Sequence, residues 1–200
     1  MTSTEKLHFV DLETTGANQI NDRITEIGII TVDIDGNVDR WSSFVNPGIS
    51  IPSFIQQLTG IDDDMVANAP PFATVADELQ SRLADGLFIA HNVRFDYGFL
   101  HQAFLRNDQA LQSDMLCTVR LSRALFPEEK KHNLDTLIAR HALVPQARHR
   151  ALADADLLWQ LWRKLGNTLP SEVFAQAVSK LRQRPKPVDT VPAALATARS

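Results

Sequence analysis

A single cysteine, Cys117, occurs in 200 residues, which excludes an internal disulfide and any thiolate-based zinc site. It reads as a small buried hydrophobe behind Met115 and Leu116. No apolar run reaches the roughly 18 residues that a membrane-spanning helix needs. The opening Met1-Thr2-Ser3-Thr4-Glu5-Lys6 also lacks the charged-then-apolar order of a signal peptide. The expected compartment is therefore cytoplasmic. Positive charge is in short supply as well: 20 Lys and Arg stand against 24 Asp and Glu, a net charge of -4. That balance disfavours a surface that tracks long polyanions, which takes many phosphate contacts. A hydrophobic content of 44% over this length fits one main domain with one sizeable core.

The charge is unevenly spread. Lys and Arg against Asp and Glu number 6 to 17 in residues 1–116, 9 to 5 in residues 117–164, and 5 to 2 in residues 165–200. An acidic first part suits cation coordination, and a basic later part suits a few phosphates, although most such charges are ordinary solvated surface. Residues 7–12 read as a buried strand and residues 24–33 as a β-branched second strand. Asp35-Gly36-Asn37 turns the chain into a third strand over residues 38–45, ended by Asn46-Pro47-Gly48. Helical periodicity follows over residues 71–83, then a short strand at 87–90 and an amphipathic helix at 93–106. Further helices are expected at 119–125, 134–141 (with Asn133 as its cap) and 151–165. The order β-β-β-α-β-α followed by helices describes an α/β protein, a mixed sheet covered by helices. Residues 169–200 are expected to form a terminal helix over 171–184 and then a flexible tail punctuated by Pro185, Pro187 and Pro192.

Three segments place acids where an apolar residue is wanted. Asp11 and Glu13, two apart near the end of the first strand, project from the face that also carries Leu7 and Phe9. Asp96 shares its helical stripe with Phe99, Leu100, Ala103 and Phe104. Asp154 shares its stripe with Leu157, Leu158, Leu161 and Trp162. Taken singly, each has an ordinary explanation: a strand end reaching solvent, or a carboxylate complementing a helix N-terminus. Taken together, four carboxylates turned toward one core require counter-charge. Oxygen-only ligation favours hard cations, Mg²⁺ or Mn²⁺. Two such ions, typically about 3.5–4 Å apart, suit in-line attack at phosphorus, which makes phosphodiester hydrolysis the natural reaction. His149 falls about 140° from Asp154 on an ideal helix, so it is placed just before that helix, on a loop that swings toward the same site. An imidazole with a free pKa near 6.5 accepts a water's proton at neutral pH.

The segments Asp11-Leu12-Glu13-Thr14-Thr15-Gly16, His91-Asn92-Val93-Arg94-Phe95-Asp96 and His149-Arg150-Ala151-Leu152-Ala153-Asp154 resemble, in order, the three motifs of the DEDDh exonucleases. These are the DnaQ-like members of the ribonuclease H-like superfamily. The nearest likeness is to the proofreading epsilon subunit of bacterial DNA polymerase III and to the exonuclease region of PolC-type polymerases. Asn46-Pro47-Gly48 and Leu58-Thr59-Gly60-Ile61 reinforce it, and it runs over about residues 7–165. The resemblance implies a mixed sheet of three antiparallel strands followed by parallel ones. It implies a 3′-to-5′ exonuclease of DNA acting in replication or repair, with two divalent cations, Mg²⁺ or Mn²⁺, held by Asp11, Glu13, Asp96 and Asp154. His149 would be the general base, and Thr14, Thr15, Asn92 and Phe95 would help seat the terminal nucleotide. The expected partner is a single-stranded or frayed 3′ end, and no membrane.

Phe95 offers a stacking surface, and Arg120, Arg123, Lys130, Lys131, Arg148 and Arg150 are candidate phosphate contacts, although plain surface charge is the preferred reading of these cations. The segment after residue 168 resembles a linker to a UvrC-like nuclease domain or a polymerase-binding segment, and residues 171–184 would equally pack on their own domain. Two alternatives stay open. One keeps the chemistry and takes RNA, as in the ribonuclease T and oligoribonuclease branches, because contacts to the 2′-hydroxyl are not legible in sequence. The other is a non-catalytic binding module on the same fold.

Overall fold

In a computed structural model, which describes residues 4–185, the sheet is built around β1 (Lys6–Thr14). β1 pairs antiparallel with β2 (Ile24–Val32), which pairs antiparallel with β3 (Val38–Phe44). On its other side β1 pairs parallel with β4 (Gly86–Ala90), and β4 pairs parallel with β5 (Asp114–Cys117). The strand order is β3-β2-β1-β4-β5. Three short connecting helices, α1 (Ser53–Thr59), α2 (Asp63–Ala67) and α3 (Phe72–Leu83), carry the chain from β3 to β4. After them come α4 (Arg94–Leu105), α5 (Thr118–Leu125), α6 (Leu134–His141), α7 (Ala151–Thr168) and α8 (Ser171–Leu181).

Alternation along β1 divides the core into two layers. Val10 and Leu12 pack with Leu79 of α3 and with Phe99, Leu100 and Phe104 of α4. Leu7 and Phe9 point the other way, onto Leu157, Leu158 and Leu161 of α7. Asp11 and Glu13 continue that second face, so the strand runs its carboxylates out beside α7. Gly28 on β2 is required by this docking: a Cβ there would lie 2.2 Å from the Leu152 amide nitrogen and 2.3 Å from the Ala151 carbonyl carbon. The start of α7 thus rests directly on the β2 backbone.

The expected elements appear, the helix over residues 134–141 with the ends expected and the others with shifted ends, and three elements were not expected. β5 is four residues long, and α1 and α2 are held by a small cluster of Ile51, Ile55, Ile61 and Val66 rather than by any long amphipathic stripe. The Asn133 side chain caps α6 by accepting from the Thr136 amide at 2.8 Å, as expected. Cys117 is buried. α8 packs on the body of the protein: Phe174 is buried edge-on against Trp162, and Gln183 exchanges backbone hydrogen bonds with Met115 on the edge of β5. The expected tail with Pro187 and Pro192 lies outside the described residues, as does the Met1–Ser3 start. Among the described residues no helix is long and apolar enough to cross a membrane.

Candidate active site

β1 outruns its parallel neighbour. The last β1–β4 pair is Phe9 with Ile89, whereas the β1–β2 ladder continues to Thr14. Past Ala90 the chain leaves the sheet through His91–Val93 and enters α4, whose first turn carries Asp96. Asn92 makes that turn with a left-handed backbone, φ 69°, and its carbonyl accepts from the Phe95 amide at 2.8 Å. A crevice at the carboxyl ends of parallel strands is where α/β sheets bind ligands.

Four carboxylates meet here. Asp96 and Asp154 are buried; Asp11 and Glu13 are half-buried. Burial pushes the Asp11 carboxyl well above the usual carboxylate range, and Asp96, Asp154 and Glu13 add to the push while Arg148 opposes it. Asp96 is raised by burial too, offset in part by hydrogen bonding to the backbone at Asp96 and Leu12. Glu13 rises to about 7, through burial first and then through Asp154 and Glu26, against Arg148 and Arg150. The smaller, charge-charge part of these shifts comes from acids gathered in the same crevice.

His149 joins them. Its backbone is left-handed, φ 59°, one residue before the N-cap of α7, and one ligand atom each of Glu13, His149 and Asp154 lies within 4.8 Å of the others. The Asp154 carboxylate also accepts from the His149 amide at 3.3 Å. Arg148 hydrogen-bonds both Asp154 and Asp135, the latter at 3.0 Å. Arg148 and Arg150, read from the sequence as surface charge with phosphate contact as the alternative, pair with acids: Arg148 with Asp154 and Asp135, Arg150 with Glu26. His91 sits half-buried with Nδ1 2.9 Å from Thr118 Oγ1; burial, then the nearby Arg148, lowers its pKa to about 4, so it stays neutral.

The residues expected to seat a nucleotide divide. Asn92 is exposed, and Phe95 is half-buried with its ring 4.8 Å from that of Phe99. Thr14 and Thr15 are buried, and their hydroxyls close the β1–β2 turn: Thr14 donates to the Gly16 carbonyl at 2.6 Å, and Thr15 accepts from the Arg23 amide at 3.0 Å.

One residue of the site escaped the sequence reading. Glu26 lies directly across the ladder from Glu13, and its side chain is only 5% exposed. It takes a forked ion pair from Arg150, with contacts of 2.9 and 3.2 Å, and accepts from the Ala151 amide at 3.0 Å. Two acids facing each other across a ladder repel, so Glu26 depends on that arginine. The available signal was an acid inside the apolar run Ile24-Thr25-Glu26-Ile27, the same anomaly that singled out Asp96 and Asp154.

The profile of an exonuclease family, described as RNase T, matches residues 9–161. The chain belongs to this exonuclease family. The domain is 38% identical over 160 residues to a PolC-type DNA polymerase III of Oceanobacillus iheyensis, covering 78% of this chain and 11% of that polymerase. It is 36% identical over 183 residues to the 3′-5′ exonuclease DinG of Bacillus subtilis, covering 89% of this chain and 18% of that protein. The chain therefore spans less than a fifth of either relative.

Among solved structures the exonuclease domain resembles exonuclease X in complex with 5′ overhanging duplex DNA. The TM-score is 0.66 and the identity 26%, over 86% of this chain and 99% of that one. It also shares the fold of E. coli exonuclease I in complex with a dT13 oligonucleotide, with a TM-score of 0.76 and 21% identity over 86% of this chain and 43% of that one. The expected ribonuclease H-like mixed sheet is thus the fold observed. A group of acidic side chains fit to hold a divalent cation is present, consistent with a family that typically works with such metals.

The raised carboxyls give a pH prediction. Glu13 titrates near 4.5 when unfolded and near 7 in the fold, so between those values the folded chain holds more protons. Stability of the metal-free protein from this source therefore falls as pH rises through that window and is lowest above it. A cation needs the ionised form and displaces the proton. The rise in thermal midpoint on adding Mg²⁺ or Mn²⁺ should be small near pH 5 and grow through about pH 7. Differential scanning calorimetry at several pH values measures it; a rise independent of pH would contradict the assignment.

Proposed function

We propose that this domain is a 3′-to-5′ exonuclease of DNA that hydrolyses the terminal phosphodiester and releases nucleoside monophosphates, in proofreading or repair. The observation that carries the reading is the cluster of Asp11, Glu13, Asp96 and Asp154 at the open end of β1, with His149 beside Glu13 and Asp154. The donor set is carboxylate oxygen with one imidazole at its edge, and burial, reinforced by neighbouring acids, raises the Asp11, Glu13 and Asp96 carboxyls so that their charge calls for a cation; the residues fit Mg²⁺ or Mn²⁺. Asp11, Glu13, Asp96 and Asp154 would hold two such ions. When bound, they would lower the pKa of the attacking water and neutralise the leaving oxygen.

The protein's own part is to orient and to move one proton. His149 takes the proton of the water that attacks phosphorus, the bond from phosphorus to the 3′-oxygen of the preceding nucleotide breaks, and that oxygen is reprotonated from solvent. Asn92, exposed at its left-handed turn, and Phe95 help seat the terminal nucleotide. Thr14 and Thr15 contribute by shaping the turn that carries Glu13. The substrate is a single-stranded or frayed 3′ end. We place the domain in the cytoplasm. Residues 1–168 form the exonuclease unit, and residues 169–200 are an appended element through which a DNA polymerase subunit or an associated nuclease would be engaged.

The names of the relatives, a polymerase and DNA-bound exonucleases, favour DNA over RNA. Matched DNA and RNA oligonucleotides labelled at the 5′ end, incubated with Mg²⁺ or with EDTA, test this. A shortening ladder on DNA that EDTA abolishes is expected. A ladder on RNA alone would move the domain to the RNA-degrading branch, and none on either would make it a binding module.

A further inference from the structure

We propose that Glu26 is a positioning residue for the reaction, acting on His149 through the first turn of α7. The inference rests on the reading of His149 as the base. His149 adopts a left-handed backbone that a residue with a Cβ seldom takes, so something on either side must hold it. On its N-terminal side Arg148 is tied to Asp135 and Asp154. On its C-terminal side the hold comes from β2. Glu26 grips the Arg150 guanidinium with both carboxylate oxygens and receives the Ala151 amide, an otherwise unpaired first-turn donor of α7. The guanidinium carbon of Arg150 also lies 5.2 Å from the centre of the Phe44 ring, on β3. Close contact of Gly28 with the Ala151–Leu152 backbone fixes the height of the helix above the sheet.

The consequence is geometric. β1 supplies Glu13, and its ladder partner Glu26 supplies the anchor for the segment that bears His149. One pair of residues on adjacent strands thus sets the distance between a carboxylate and the imidazole. Glu26 itself need not touch substrate, because its carboxylate is already saturated by Arg150 and Ala151.

Glu26→Gln tests this with the least disturbance to folding: it keeps the shape and an acceptor for the Ala151 amide, and the partly exposed Arg150 side chain remains solvated. On a 5′-labelled single-stranded DNA oligonucleotide with Mg²⁺, Glu26→Gln should lower kcat about 10- to 100-fold with KM unchanged, the size expected of a misplaced reactive group. Combined with His149→Ala, it should cost nothing further, since both act through one imidazole. In the metal-free protein, the ring signals that His149→Ala deletes from the histidine NMR spectrum should shift or broaden in Glu26→Gln. Glu26→Asp, with the charge retained, should restore part of the rate.

A full additional loss in the His149→Ala background, an undisturbed imidazole spectrum, or a rate that falls only with the folded fraction would overturn the proposal. Failure of the underlying reading shows elsewhere: His149→Ala alone would then keep its rate, and the proposal would fall with it.

Discussion

Asp11→Asn is expected to abolish exonuclease activity while leaving the metal-free protein at least as stable as the wild type. The two halves of this result have one cause. Asp11 is raised well above the carboxylate range by burial and then by three neighbouring acids, so its charge is opposed by the fold and is useful only when a cation is present. Replacing it with a neutral isostere removes a repulsion and, on the proposed function, a cation ligand together. Disturbing a residue behind a metal ligand costs about 10- to 100-fold. Removing Asp11, itself proposed to hold the cations, should exceed that range. Activity assay and calorimetry on the same preparation check both halves. A variant that loses activity because it melts early, or that keeps its rate, would contradict the assignment of Asp11.

His149→Ala is expected to behave differently. Loss of a general base costs about 10²- to 10⁴-fold in rate, and here it should fall on kcat. The carboxylates come from β1, α4 and α7, none of which depends on the imidazole for its position: Asp154 is held by Arg148 and by the His149 backbone amide, both of which survive the substitution. Divalent cation affinity should therefore be largely retained. Single-turnover kinetics together with isothermal titration of Mn²⁺ separate the two quantities. A collapse of cation binding in His149→Ala would make His149 a ligand rather than a base.

Much of this architecture was legible because it rests on local pattern. The β-branched run from Ile24 marks β2, and Asp35-Gly36-Asn37 marks the hairpin. The 3.6-residue stripes of α4 and α7 exposed Asp96 and Asp154 as acids on apolar faces. β5 was hidden because Met115, Leu116 and Cys117 are too few to show a period, and its strand identity comes from pairing with β4. α1 and α2 are seven and five residues long, and four scattered apolar side chains hold them against each other rather than helical propensity.

In the site, the carboxylates could be read one segment at a time, whereas their counter-ions could not. Arg150 finds Glu26 across 124 residues of sequence, and Arg148 finds Asp135 across 13, so both looked like surface charge. Glu26 escaped for the complementary reason. A strand tolerates an acid every second residue when one face is wet, so the acid inside Ile24-Thr25-Glu26-Ile27 was a weaker signal than Asp96 or Asp154, and only the fold shows that α7 covers that face. The left-handed backbone at His149 was equally invisible, since it is imposed by anchors on both sides.

Four carboxylates acting together as a divalent-cation site carry the proposed chemistry. Mn²⁺ binding followed by electron paramagnetic resonance at about pH 8, above the value of about 7 that Glu13 takes in the fold, measures this without any substrate. Wild-type protein should bind two Mn²⁺ per chain, and Asp11→Asn should lose at least one of them. Equal binding by both proteins, or none by either, would contradict it.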